Sequence, residues 1–277
     1  MPQLYRVREA FNGDDCDMSQ FSYIHDKSVI KRRRFNKSGE QVLYTSSYPH
    51  VAVLETEIST SNYFYISRWK KKNVKDTFLS FFSVDDNCSK DTMALSRQVR
   101  MELERIFSVE EQCQIDEIRD ILEKDYFGLP ESMRYEESSN LASEILKKAE
   151  CIISYSKKDD RHLNITFSKK AVDEKLSLDC VFYCVRPKNY RSLCYDVEKI
   201  GFVDNGKIVW YHWEIDESSI YLPLPIPQKQ IHEAIQISKK TMCVNVNFDV
   251  FSWQTGILCV NGVNYTVQFK IKIRPIQ

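Results

Sequence analysis

Four short segments carry the side chains best suited to chemistry. The first is Leu4-Tyr5-Arg6-Val7. The second is Arg34-Phe35-Asn36, then Gly39, then Leu43-Tyr44. The third is Ala52-Val53-Leu54-Glu55. The fourth is Ile152-Ile153-Ser154-Tyr155-Ser156 followed by Asn164-Ile165-Thr166-Phe167. Arginine grips phosphate oxygens with two parallel N–H donors. A carboxylate stabilises positive charge that develops beside it. Each residue alone also has a plainer reading. Arg6 and Arg34 read as surface arginines, and Lys31-Arg32-Arg33-Arg34 reads as a nucleic-acid or nuclear-import patch or a solvated loop. Tyr44 alone is core or strand surface. Glu55 alone is the exposed end of a helix, with Glu57 beside it. Ser156 and Asn164 alone are polar strand ends.

Taken together, the four segments resemble the RES domain, a family named for its Arg, Glu and Ser positions. The family pattern opens with a Tyr-Arg strand. An Arg-aromatic-Asn, a Gly, a Leu-Tyr pair and an Ala-x-x-Glu follow. A helix, an Ile-rich strand ending in serine and an Asn before an apolar strand close it. Here Arg34 precedes Tyr44 by ten residues and Tyr44 precedes Glu55 by eleven. The resemblance covers residues 1 to about 170. The chain departs from the pattern where the family has Tyr-Pro-Ser and this sequence has Ser154-Tyr155-Ser156. Both serines are therefore candidates, and Ser156 keeps the offset to Asn164. The loop between Arg6 and Arg34 is long, and residues beyond about 175 match nothing in the pattern.

The resemblance implies an α+β fold related to ADP-ribosyltransferases, with NAD⁺ as substrate. It implies cleavage at the nicotinamide–ribose bond, with water or inorganic phosphate as acceptor. Glu55, Arg34 and Ser156 would be catalytic, and Arg6, Asn36, Tyr44 and Asn164 would bind NAD⁺. The chemistry suits those residue types. Arginines meet the pyrophosphate. One carboxylate faces an oxocarbenium-like ribose. Nicotinamide leaves as a neutral ring, so no general acid is required. Tyr44 would stack on that ring, and a serine would hold ribose or amide. No cofactor beyond the NAD⁺ substrate is implied. The implied role is NAD⁺ depletion as a toxin or anti-phage effector, restrained by a cognate antitoxin or other defence partner. Two other readings stay open: ADP-ribosyl transfer to a protein or nucleic acid, and a non-enzymatic interaction module.

The elements that must position these residues follow from periodicity. Gln41–Ser46 reads as a strand, and Val51–Ile58 as a short helix or strand after the break at Ser47-Tyr48-Pro49. Residues 62–69 are β-prone. Residues 91–126 read as a pair of amphipathic helices closed by Gly128-Leu129-Pro130. Ser139–Lys148 reads as a helix and Cys151–Ser156 as a strand. Beyond 175 the chain is β-rich, with strands at 181–185, 208–213, 244–251 and 267–273. Pro223, Pro225 and Pro227 stiffen one stretch, and Asn261-Gly262 signals a tight hairpin. Lys70-Lys71-Lys72 reads as a solvated turn, and alternation along a strand explains Tyr211-His212-Trp213. The expected division is a RES-type domain over 1–172 and a β-rich extension over 173–277 packed on it, without catalytic groups.

Composition bounds the rest. The 39 basic and 39 acidic side chains cancel, so no global field draws the protein to nucleic acid or an acidic membrane. The nine cysteines include no CxxC pair, and the five histidines are scattered. No metal is therefore expected, and the cysteines read as reduced thiols. No signal peptide and no long apolar run is evident, so a cytoplasmic location is expected. Self-association is left open.

Overall fold

The computed structural model describes residues 3–11, 13–56, 62–83, 108–123, 135–159, 162–186, 195–221, 254–260 and 263–276. The chain is α+β, with four helices among the described residues. It folds as two compact units. The first holds Met1–Arg6, Ser19–Thr56 and Arg68–Asp179; the second holds Val7–Met18, Glu57–Ser67 and Cys180–Gln277.

The first unit is built on a sheet with the strand order β4-β5-β6-β2-β1. Its strands are β1 (Leu4–Glu9, continuing into the second unit), β2 (Val42–Ser46), β4 (Ser80–Ser83), β5 (Cys151–Tyr155) and β6 (Leu163–Ser168). β3 (Tyr63–Lys71) enters this unit at Arg68. Only the β4–β5 pair in this run is parallel. Helix α1 (Pro49–Thr56) opens with a proline, whose missing N–H costs nothing at the first helical position. It buries Val51, Ala52 and Val53. Helices α2 (Val109–Glu123) and α3 (Glu136–Lys148) supply Leu122, Ala142 and Leu146 to a core with Phe35 and Ile152. α3 carries Glu136 and Glu137 in its first turn and Lys147 and Lys148 in its last, which complements the helix dipole.

Several expectations shift on folding. α3 begins three residues before Ser139, at Glu136, and Ser138 and Ser139 are buried within it. The run at Lys70-Lys71 lies within β3 and not in a turn. A seven-residue helix absent from the sequence reading, α4 (Lys169–Lys175), follows β6; the Ser168 hydroxyl caps it by accepting from the Ala171 N–H. The expected helix before residue 108, the Gly128-Leu129-Pro130 expected to end the second helix, the proline stretch and the strand at 244–251 lie outside the described residues.

The second unit is an antiparallel run in the order β10-β11-β9-β8-β7. Its strands are the end of β7 (Leu176–Val185), β8 (Asp196–Asp204), β9 (Lys207–Tyr221), β10 (Gln254–Val260) and β11 (Val263–Pro275). Val260 pairs with Val263, as a tight hairpin requires; the two turn residues lie outside the described set. A second Asn-Gly turn joins β8 to β9, where Asn205 and Gly206 take φ of 49° and 79°. Two successive positive φ values are what a two-residue hairpin demands.

Gly201 on β8 pairs with Trp210 on β9. A Cβ there would sit 2.4 Å from Ile208 Cγ2 and 3.0 Å from Trp210 Cε3. Trp210 is held by its indole N–H on the Asp15 carbonyl and by the Lys199 ammonium over its ring. Gly201→Ala is therefore expected to destabilise this unit by about 1–3 kcal/mol through overpacking. Thermal denaturation checks it, and an unchanged midpoint would show that the tryptophan gives way freely.

Among the described residues no helix is long and apolar enough to cross a membrane. Cys16, Cys113, Cys151, Cys180 and Cys184 are free thiols, and burial pushes the Cys151 thiol up to about 11.

Candidate functional site

Sheet register sets three polar side chains in a row. Ser46 of β2 pairs with Asn164 of β6, and Asn164 pairs with Ser154 of β5. Residues directly opposite one another point to the same face. The Ser46 hydroxyl donates to Asn164 Oδ1 at 2.5 Å, which fixes the amide so that its Nδ2 points the other way. That Nδ2 donates to Glu55 Oε1 at 2.8 Å.

Glu55 is delivered from above the row. The chain leaves β2 at Ser46, turns, and enters α1, whose burial of Val51, Ala52 and Val53 fixes its rotation. The half-buried Glu55 then receives a second donor on the same oxygen: Ser156 Oγ at 2.5 Å. Ser156 lies just past the end of β5. Its oxygen accepts the backbone N–H groups of Lys158 and Asp159, each at 3.1 Å. The hydroxyl thus uses its one donor and both lone pairs, and it has little freedom to turn. Ser156 is the serine on Glu55; Ser154 is the buried member of the strand row.

Arg34, Asn36 and Tyr44 form a second group. Tyr44 stands one residue pair from Ser46 along β2, on the same face and about 7 Å away. Its hydroxyl accepts the Phe35 N–H and donates to Asn36 Oδ1, both at 3.0 Å. Burial raises the Tyr44 phenol well above its ordinary value, against the opposing pull of the Phe35 N–H and of Arg33 and Arg34. The group is therefore a neutral donor. Asn36 spends its Nδ2 on the carbonyls of Lys31 and Lys37. Tyr44 and Asn36 thus lock the turn that presents Arg34. The Arg34 guanidinium lies 5.0 Å from the Phe35 ring, and its Nε donates to the Leu122 carbonyl at 2.7 Å. Leu122 is in the last turn of α2, where carbonyls attract cations. Arg33 is exposed.

Arg6 is placed differently. Tyr5 pairs with Ser46, so alternation sends Arg6 to the opposite face of β1. Its Nη1 donates to the Phe21 carbonyl at 3.1 Å.

Two histidines that are far apart in sequence meet beside Ser156. His50 of α1 and His162, before β6, each bring Nε2 to 3.8 Å from Asp159 Oδ2. Their rings meet edge to face at 5.0 Å, and Tyr48 lies 4.3 Å from His162. Asp159 and His162 stand three residues apart in sequence, but no spacing announces His50, which joins them only when α1 folds over the end of β5.

No family model and no curated protein matches the chain.

Proposed function

We propose that the chain cleaves NAD⁺ at the nicotinamide–ribose bond through Glu55, in a RES-type fold related to ADP-ribosyltransferases. The observation that carries the reading is the doubly anchored carboxylate: Ser156 and Asn164 both donate to Glu55 Oε1. Anchoring by two fixed donors sets the carboxylate's direction before substrate arrives. A cationic nicotinamide leaving group leaves positive charge on the ribose, and a carboxylate at that position stabilises it as it forms. The bond to nicotinamide breaks, its electron pair stays with the ring nitrogen, and water or phosphate adds to the ribose carbon. When water adds, its extra proton passes to solvent.

Arg34 enters the reading as the cation for the pyrophosphate, since its turn rests on the same sheet face as Ser46. Arg6, on the other face, enters as a support for the Phe21 segment. A partner that blocks this site, and a role in NAD⁺ depletion, belong to the same proposal. The test is incubation of the purified chain with NAD⁺, with and without phosphate, and mass spectrometry of the products. Free nicotinamide with ADP-ribose or its 1″-phosphate supports the reading. Label fixed to a macromolecule supports transfer instead, and no turnover overturns both.

The arginine assignment makes its own prediction. Arg34→Lys keeps the charge but loses the planar fork, so kcat/KM for NAD⁺ should fall by about tenfold or more. Arg33→Ala, at an exposed position, should change it much less. Equal damage from the two would place the working cation elsewhere in the basic run.

A further inference from the structure

We infer that His50, Asp159 and His162 form a binding site for one divalent transition ion of the zinc class. The inference stands on this cluster alone and not on the NAD⁺ reading. One ligand atom from each residue lies within 4.8 Å of the other two. Both imidazole Nε2 atoms are 3.8 Å from the same carboxylate oxygen. That is longer than a hydrogen bond and within ion-pair range of a protonated imidazole, so a neutral imidazole faces the carboxylate oxygen without bonding to it. It is close to what an ion needs: ligands at about 2.0–2.2 Å on a tetrahedron lie about 3.3 Å apart. Small side-chain rotations close the difference. The rings meet edge to face at 81° and do not stack, and their ligand nitrogens lie within 4.8 Å of each other.

The donor set selects the ion. Two neutral imidazoles and one carboxylate suit zinc, cobalt or nickel, whereas magnesium and calcium favour oxygen throughout. Three protein ligands leave a position for water or an anion. The side chains of His50, Asp159 and His162 are 20%, 11% and 20% exposed, so solvent reaches the cluster. The consequence is local. Asp159 offers its backbone N–H to Ser156 Oγ, and the His162 carbonyl accepts the Ser156 N–H. An ion joining α1 to both residues fixes the segment that holds Ser156 against Glu55.

Cobalt titration of the untagged, full-length chain tests the site. Metal-free protein, reduced and stripped with chelator, should take up one equivalent of Co²⁺ with visible bands of low-coordinate N/O ligation, and Zn²⁺ should displace it. His50→Ala, His162→Ala and Asp159→Asn should each weaken binding about tenfold or more while circular dichroism shows a folded chain. Asp159→Asn keeps the shape of the site, so it separates lost ligation from lost structure. Glu55→Gln should bind cobalt like the unchanged protein, whether or not NAD⁺ is a substrate. No saturable uptake, uptake unaffected by all three variants, or sulfur-to-cobalt charge-transfer bands that place the ion on cysteines would each overturn the assignment.

Discussion

Glu55→Gln should lower the rate of NAD⁺ cleavage by roughly 10²–10³, the usual loss when a preorganised electrostatic stabiliser is removed. The substitution preserves size and leaves an oxygen for Ser156 and Asn164 to donate to, so the network in which Glu55 Oε1 accepts both groups need not collapse. What disappears is the negative charge facing the ribose. The loss should therefore appear in kcat, with KM for NAD⁺ less affected, because the charge it answers exists only as the bond breaks. Asn164→Ala and Ser156→Ala should have smaller effects of the same kind, since each removes one of two anchors and not the charge. Nicotinamide release by the folded Glu55→Gln chain at a near-normal rate would remove Glu55 from the mechanism and leave NAD⁺ cleavage to another group.

The parts of this site that sequence made legible are those built by local pattern. Tyr44 and Ser46 share a face because a strand alternates, and Glu55 follows a short apolar run that α1 buries. Asn164 lies within β6 and Ser156 just past the adjacent β5, and the meeting of Asn164 with Glu55 follows from the register that pairs Ser46 with Asn164. The rest depends on contacts between remote segments. His50 and His162 are ordinary scattered histidines until α1 reaches the turn after β5. The face of Arg6 follows from one pairing, Tyr5 with Ser46, which no spacing encodes. α4 escapes periodicity because seven residues make only two turns; Ser168, its cap, was the available sign. The Asn205-Gly206 turn was readable by the same rule that marks Asn261-Gly262, and the paired strands on either side confirm how strongly that dipeptide directs a hairpin.

A stability test of comparable size lies at Asp179. Arg68, 6% exposed, donates to Asp179 Oδ2 from Nη2 at 2.6 Å and from Nε at 2.7 Å, while Lys70 reaches Oδ1 at 2.7 Å. Burial alone would raise the Asp179 carboxyl. The Lys70 hydrogen bond and the charges of Arg68 and Lys70 outweigh it and hold the group below its usual range. Removing the carboxylate leaves a buried guanidinium without its counter-charge, which costs about 3 kcal/mol at a site still wetted on its Lys70 side. Asp179→Ala should therefore lower the thermal midpoint strongly. The double variant Arg68→Met with Asp179→Leu should recover most of the loss, because a buried pair replaced whole by apolar groups leaves no charge stranded. The sign of the pH effect follows from the lowered carboxyl. Its contribution is fully present above the unfolded value of about 3.9 and disappears as pH falls through the folded one. The stability gap between the unchanged chain and Asp179→Asn should thus hold steady from neutral pH to about pH 5 and narrow below about pH 4. A gap that stays constant through that acid range would mean that shape, and not the charge on Asp179, carries the interaction.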